Sequence, residues 1–185
     1  MPVIYQSGYL TIKDYDPEFD LYTLGFPNEE VEEGFTQFLL PFYTATQATK
    51  SPYFIANFVK DLRTGHPENF MTRMQAFFAD TDYKVVGDSE LYFQNVFFIV
   101  TRLLGRYTQV ERTTSRGRID MTVLTQDYIY IIEFKLDKTA AEALAKINDN
   151  NYAAPFVADP RKLFKIGVNF SLQRRCIDDW EIADE

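Results

Sequence analysis

The chain has 185 residues, a length that fits one domain or one domain with an appended segment. Hydrophobic residues make up 46% and charged residues 25%, so the chain can bury a core, while the net charge of −8 gives no sign of a nucleic-acid binder. A single cysteine, Cys176, excludes an internal disulfide framework and a multi-cysteine zinc site. No apolar run approaches the roughly 20 residues that span a bilayer, and the first residues lack the pattern of a secretory signal. We therefore expect a soluble cytoplasmic protein with no membrane partner.

The first part of the chain is predicted to form a β-hairpin followed by helices. β-Prone runs at 8–13 and 21–24 flank a turn-rich centre. Asn28 is the predicted N-cap of a helix that ends near Pro41. Two further helices are predicted at 52–63 and 67–79.

From residue 87 the pattern becomes an α-β-β-β-α-β series. It predicts helices at 89–104 and 139–150, with Gly105 as the C-cap of the first, and strands at 107–112, 118–124, 128–136, 163–170 and 177–182. The series predicts an α/β (α+β) core built on a single mixed sheet.

Two carboxylates are predicted to face each other across the middle strands. If Gln126 and Asp127 form a two-residue hairpin loop, Asp120 lies directly opposite Glu133, with Cβ atoms about 5 Å apart. Lys135 then lies on the same face of its strand, about 7 Å further along.

Opposed carboxylates in strands that are otherwise apolar repel each other and are costly to bury. A divalent cation such as Mg²⁺ or Mn²⁺ between Asp120 and Glu133 would explain the arrangement, because these ions prefer hard oxygen ligands. The spacing fits equally well an inter-strand ion network in which Lys135 is the counter-ion. A change of one residue in the loop would move Asp120 to the opposite face.

The segments 117–120 (Gly-Arg-Ile-Asp) and 132–135 (Ile-Glu-Phe-Lys) resemble the core motif of the PD-(D/E)XK nuclease superfamily. More narrowly, the chain resembles the nuclease domain that follows an AAA-ATPase-like domain in many proteins of gut (Bacteroides-type) bacteria. The matching segments are 5–13, 24–31, 117–135 and 165–170.

The resemblance implies an αβββαβ restriction-endonuclease-like core, a mixed sheet flanked by helices, at 87–185. It also implies a hairpin-plus-helix connector from an upstream ATPase-like region at 1–45 and a helical linker at 46–86. No phosphate-binding loop of the Gly-x4-Gly-Lys-Ser/Thr type occurs in the chain, so this chain is not itself the ATPase.

The resemblance also assigns site residues. The implied catalytic residues are Asp120, Glu133, Lys135 and Glu90, and the implied ligands of Mg²⁺ (or Mn²⁺) are Asp120, Glu133, Glu90 and the Phe134 carbonyl. Glu90 also fits a first-turn acid that favours the helix dipole. The candidate substrate contacts are Gln94, Arg116, Arg118, Lys146 and Tyr152.

Lys146 replaces a family glutamine. On a helical wheel it lies away from the apolar stripe of Ala140, Leu144 and Ile147, so we predict a solvated side chain. Tyr152 matches a family tyrosine and fits a core position equally well.

The charge is distributed unevenly along the chain. Residues 1–40 have a net charge of −7, residues 100–118 have a net charge of +4, and a further basic cluster spans 161–175. We expect the basic residues to form local basic surface in the later part of the chain, and those of 100–118 to contact phosphates.

The function implied is metal-dependent hydrolysis of phosphodiester bonds in nucleic acid, with DNA as the expected form. The alternative is a catalytically inactive nuclease-like module that binds nucleic acid or an AAA-ATPase-like partner, and the acidic composition and Lys146 favour it. An exposed edge of the N-terminal hairpin would also allow a homodimer or packing on the ATPase-like domain.

Overall fold

The structure is a computed structural model, which describes residues 3–43, 51–79, 96, 99–100, 104, 109–114 and 117–184. In the description below, strands and helices are numbered in chain order. Among the described residues, no helix is both long and apolar enough to cross a membrane.

The N-terminal segment contains the predicted hairpin and helix. After the short helix α1 (Val3–Gln6), β1 (Thr11–Asp16) pairs antiparallel with β2 (Leu21–Gly25), and α2 spans Glu29–Tyr43. The side chain of Asn28 accepts a hydrogen bond of 2.9 Å from the Val31 amide, which confirms it as the N-cap of α2.

Helices α3 (Ser51–Arg63) and α4 (Pro67–Ala79) confirm the two predicted helices to within a residue. Between them Gly65 has a φ of +71°, and a Cβ atom there would lie 2.5 Å from the ring of Tyr128. The Tyr130 hydroxyl donates a buried hydrogen bond of 2.7 Å to the Leu62 carbonyl. The end of α3 is thus fixed against the central strand that supplies both tyrosines.

Part of the predicted 89–104 helix is described. Val96, Ile99, Val100 and Leu104 are helical and buried, whereas the rest of that prediction, including Gly105, lies outside the described residues.

The main sheet has five strands within the described residues, and their spatial order follows the chain. It comprises β3 (Gln109–Thr114), β4 (Gly117–Leu124), β5 (Tyr128–Leu136), β6 (Lys162–Ser171) and β7 (Cys176–Asp184). Only the β5–β6 pair is parallel, and its crossover contains α5 (Ala140–Asp149) and a 3₁₀ turn (Ala154–Phe156). Thr139 begins α5 with a capping box to Glu142, which satisfies amide groups at the helix start. The predicted mixed sheet is confirmed.

The two faces of the sheet pack against different helices. One face, including Tyr130, Ile132 and Ile166, shares a hydrophobic core with α3, α4 and the buried helical residues of 96–104. The other face, including Ile129, Ile131 and Leu163, packs against Leu144 and Ile147 of α5. Alternate residues of β5 therefore point to opposite layers, and the odd-numbered ones point towards α5.

Candidate active site

The hairpin of β4 and β5 has the predicted register. Met121 pairs with Ile132 and Leu124 with Ile129, which leaves Gln126 and Asp127 as the two loop residues. Thr125 closes the turn, because its amide donates to the Tyr128 carbonyl at 2.9 Å. One residue beyond the last backbone pair, the same register brings Asp120 level with Glu133.

Asp120 lies where the regular pairing of β4 and β5 ends. Its Oδ2 accepts a hydrogen bond of 2.9 Å from the Phe134 amide, so the side chain satisfies a strand amide. The register of β4 with β3 also shifts in this region, between the partners of Glu111 and Thr113, which is a sign of a local bulge. The bond to Phe134 fixes one oxygen of Asp120 beside Glu133.

Glu133 is a fully buried carboxyl group. The residue is 0% exposed, its Oε1 accepts from the Lys146 ammonium group, and its Oε2 has no hydrogen-bond partner. Burial raises the pKa of Glu133 to about 7, and the Lys146 hydrogen bond opposes this rise. Asp120 adds to the rise through its charge and through the hydrogen bond that a protonated Glu133 can donate to it. An unsatisfied oxygen of a buried carboxyl group is costly unless a ligand such as a cation satisfies it.

The prediction that Lys146 is solvated is wrong. Its Nζ forms a salt bridge with Glu133, although its own side chain remains 34% exposed. Burial lowers the pKa of Lys146, but the hydrogen bond and charge of Glu133, with a contribution from Asp120, outweigh this and leave it raised. The counter-ion of Glu133 is thus a lysine of α5. The alternative of an inter-strand ion network had predicted Lys135 as this counter-ion.

Lys146 reaches the sheet because α5 lies very close to β6. A Cβ atom at Gly167 would lie 2.6 Å from the Leu144 amide nitrogen and still closer to the Ala140 carbonyl oxygen. Gly167 is paired with Glu133 across the parallel strands. The glycine therefore permits a helix–sheet distance that the flexible lysine side chain can span from the flank of α5.

Lys135 and Tyr152 lie near this cluster. Lys135 is half-buried and alternates onto the same face of β5 as Glu133. Tyr152 is 2% exposed, belongs to the core beneath α5, and is near enough for its charged form to raise the pKa of Lys146. The roles of Lys135, Tyr152 and the Phe134 carbonyl remain predictions.

Four predicted site residues lie wholly or partly outside the described residues. Glu90, Gln94 and Arg116 lie outside the described residues, as does the side chain of Arg118, whose backbone belongs to β4. In the part of the chain that the structure describes, no three His, Cys, Asp or Glu side chains converge as a metal site. The described part of the site is the pair of carboxylates with Lys146.

Two contributors on this face of the sheet were not predicted from the sequence. One is Gly167, and the other is Lys165, which is 7% exposed and donates a 3.0 Å hydrogen bond to Asn148 of α5. The prediction of Lys165 as basic surface is therefore wrong. The sequence did contain a sign that Lys165 is buried, because this lysine lies at the centre of an apolar strand. A polar residue in such a strand needs a buried partner.

Comparison with known proteins identifies the class of protein to which this chain belongs. A family model of the PD-(D/E)XK nuclease superfamily matches residues 88–180, and the chain belongs to this superfamily. The mixed sheet flanked by helices is consistent with its restriction-endonuclease-like fold.

One curated relative is an uncharacterized protein encoded in the vnfD 5′ region of Azotobacter chroococcum mcd 1. It is 30% identical over 184 residues, which cover 95% of this chain and 36% of the relative. The chain thus spans about a third of that protein's length.

The residues of the site fit a divalent cation. Enzymes of this superfamily generally use divalent metals. The unsatisfied Oε2 of Glu133 lies beside a second carboxylate, Asp120, and both offer the hard oxygen ligands that Mg²⁺ and Mn²⁺ prefer.

Proposed function

We propose that this chain is a metal-dependent nuclease domain that hydrolyses phosphodiester bonds of nucleic acid, with DNA as the expected substrate. The observation that carries the proposal is the unsatisfied, fully buried Oε2 of Glu133 beside Asp120. A scaffold alone has no reason to bury Glu133 beside a second, half-buried carboxylate, because their mutual repulsion and the desolvation of Glu133 destabilise the fold.

The cation would be Mg²⁺ or Mn²⁺, held by Asp120, Glu133, the Phe134 carbonyl and Glu90. When bound, such an ion supplies an acidified water and neutralises charge that develops on the phosphate. The Phe134 amide keeps Asp120 oriented by its hydrogen bond, which supports a role of this carboxylate as a ligand beside Glu133. Lys135 would orient the attacking water or stabilise the charge of the transition state.

Substrate binding would use further groups. We assign phosphate contacts to Arg116 and Arg118, and further contacts to Gln94, Lys146 and Tyr152. Contacts of this kind hold a nucleic-acid strand in register without reading its sequence.

The proposal is tested by titrating Mn²⁺ into the full chain by calorimetry, with cleavage of plasmid DNA and RNA assayed on the same samples. Asp120→Asn and Glu133→Gln should each abolish metal binding and cleavage, because each removes a charged ligand. Asp127→Asn is the matched control, since Asp127 is an exposed carboxylate in the loop that joins the same two strands. Lack of Mn²⁺ binding and of cleavage by the unmodified chain would refute the proposal.

A second candidate is a catalytically inactive module that binds nucleic acid or an ATPase-like partner. The ion pair of Lys146 with Glu133 favours it, because an internal cation already compensates one of the two carboxylates. Binding of DNA by an unmodified chain that neither takes up Mn²⁺ nor cleaves would support this second function.

We also propose that the intact protein carries an ATPase-like region upstream and that the N-terminal hairpin contacts it or a second copy of the chain. The coverage of only 36% of the curated relative allows for such additional regions. Light scattering of the purified chain, with and without residues 1–45, tests the homodimer.

A further inference from the structure

The contact between Lys146 and Glu133 places a positive charge at the oxygens that a metal ion would use. The Glu133 side chain is 1% exposed and the Lys146 side chain 34% exposed, so the ammonium group approaches a closed carboxylate from a more open flank. The tip of a lysine is flexible and strongly hydrated, and it can withdraw into water by rotation of its own side chain.

The helix itself need not move for such a withdrawal. Helix α5 is fixed by its capping box at Thr139 and by the packing of Leu144 and Ile147 on the sheet. Its close approach at Gly167 leaves no spare space between helix and strand. Withdrawal of the ammonium group therefore requires only rotation of the Lys146 side chain.

Electrostatics make the lysine and a divalent cation competitors. Asp120 and Glu133 are two neighbouring carboxylates, and Lys146 forms an ion pair with Glu133. A divalent cation on the same carboxylates would be repelled by the ammonium group at a few ångströms, in surroundings where screening is weak.

We propose that Lys146 is a tethered competitor of the metal ion: its ammonium group holds Glu133 in the metal-free protein and leaves Oε1 when a divalent cation binds. This inference rests on the proposed function, because it concerns the same carboxylates. It makes Lys146 a positioning residue that orients the buried carboxylate, at the expense of metal affinity.

The first test compares Mn²⁺ binding to the full chain and to three variants by calorimetry at pH 8.5, together with the Mn²⁺-induced rise in melting temperature. Lys146→Gln should bind Mn²⁺ about tenfold more tightly than the unmodified chain and show the larger rise, because the competing charge is gone. Lys146→Arg keeps the positive charge, so its affinity for Mn²⁺ should stay within about threefold of that of the unmodified chain. Lys162→Gln removes a surface lysine that pairs with Asp184 and should leave the affinity unchanged.

The second test needs no variant and so does not depend on the folding of Lys146→Gln. Lysines of the unmodified chain are labelled with an amine-reactive reagent, with and without Mn²⁺, and quantified by mass spectrometry. Labelling of Lys146 should become several-fold faster with Mn²⁺, because its ammonium group is released from Glu133, while labelling of Lys162 stays constant.

The outcomes separate this inference from the proposed function. Tighter binding by Lys146→Gln than by the unmodified chain supports it. Binding by that variant alone supports the competition and, if the unmodified chain does not cleave, overturns the proposed function. Equal or weaker binding by a folded Lys146→Gln, or unchanged labelling of Lys146 in a chain that does bind Mn²⁺ through Asp120, overturns the inference and leaves the proposed function standing. Absence of binding in every variant overturns both.

Discussion

Glu133 is a carboxyl group in a strand whose neighbours on the same face, Ile129 and Ile131, are fully buried isoleucines. At the residue scale, the ion pair of Lys146 with Oε1 offsets part of the free-energy cost of burying Glu133. The other oxygen, Oε2, has no hydrogen-bond partner that would offset the rest. Asp120 adds a second negative charge that the Phe134 amide orients. The site therefore combines stabilised and unsatisfied charge within a few side chains.

The raised pKa of Glu133 predicts a pH dependence of stability. Burial, with Lys146 opposing and Asp120 adding, raises the pKa from 4.5 to about 7 in the folded chain. Because the folded state holds this proton more tightly than the unfolded state, the stability contributed is full below about pH 4.5 and lost as the pH rises through 7. A shift of this size corresponds to about 3 kcal/mol.

Urea unfolding of the metal-free chain between pH 4.5 and pH 8 measures this contribution, with Glu133→Gln as the reference that cannot titrate. The unfolding free energy of the unmodified chain should fall relative to that of Glu133→Gln as the pH rises. Asp127→Asn, in the exposed loop, should show the same profile as the unmodified chain. A constant difference between the unmodified chain and Glu133→Gln would contradict the pKa.

At the scale of elements, the contact between α5 and β6 decides the geometry of the site. Gly167 of β6 pairs with Glu133 and has no side chain. The backbone of α5 occupies the space that a side chain at this position would fill. This is how a residue on the flank of α5 comes within reach of a buried carboxylate. Helix position and site geometry are thus coupled through one glycine.

Gly167→Ala should destabilise the fold by about 2–3 kcal/mol, because the added methyl group would meet backbone atoms of Ala140 and Leu144, which cannot rotate away. Urea unfolding measures the loss. Gly34→Ala in α2 is the matched control: nothing lies within 4 Å of its Cβ position, so it should be neutral or stabilise by up to about 1 kcal/mol. Equal effects of the two substitutions would exclude the close contact as the cause.

At the scale of the whole molecule, α3 and α4 belong to the same hydrophobic core as the sheet. Helix α4 alone buries Phe70, Met71, Met74, Phe77 and Phe78. The predicted division into residues 1–45, 46–86 and 87–185 stays a prediction, but the helices between 51 and 79 cover one face of the sheet.

A fragment of residues 87–185 should therefore fail to fold cooperatively, whereas residues 46–185 should unfold in a single transition. Each large buried side chain contributes about 1.5–3 kcal/mol, so the loss of α4 alone would match the stability of a typical domain. Near-ultraviolet circular dichroism and urea titration of the two fragments provide the test. A cooperatively folded 87–185 fragment would show that the helices are a separable linker.

Local patterns in the sequence were sufficient for the elements and for half of the site. Strand alternation, the Asn28 cap and the two-residue loop at Gln126 and Asp127 depend on neighbours in the chain, so β4, β5 and their register followed from the sequence. The opposition of Asp120 and Glu133 followed from that register. The position of Lys146 did not, because a helical wheel gives the direction of a side chain and not the distance between helix and sheet.

The sequence by itself determined the superfamily motif, the mixed sheet and the pair of carboxylates, since all three depend on residue identity and short-range spacing. Only the tertiary structure decided that Glu133 is closed off from water, that one of its oxygens is unsatisfied, and that its partner is Lys146. Burial and partner choice depend on how closely α5 packs on β6. Gly167 permits this close packing, and it lies more than twenty residues along the chain from Lys146. Sequence spacing alone therefore does not show that Lys146 reaches Glu133.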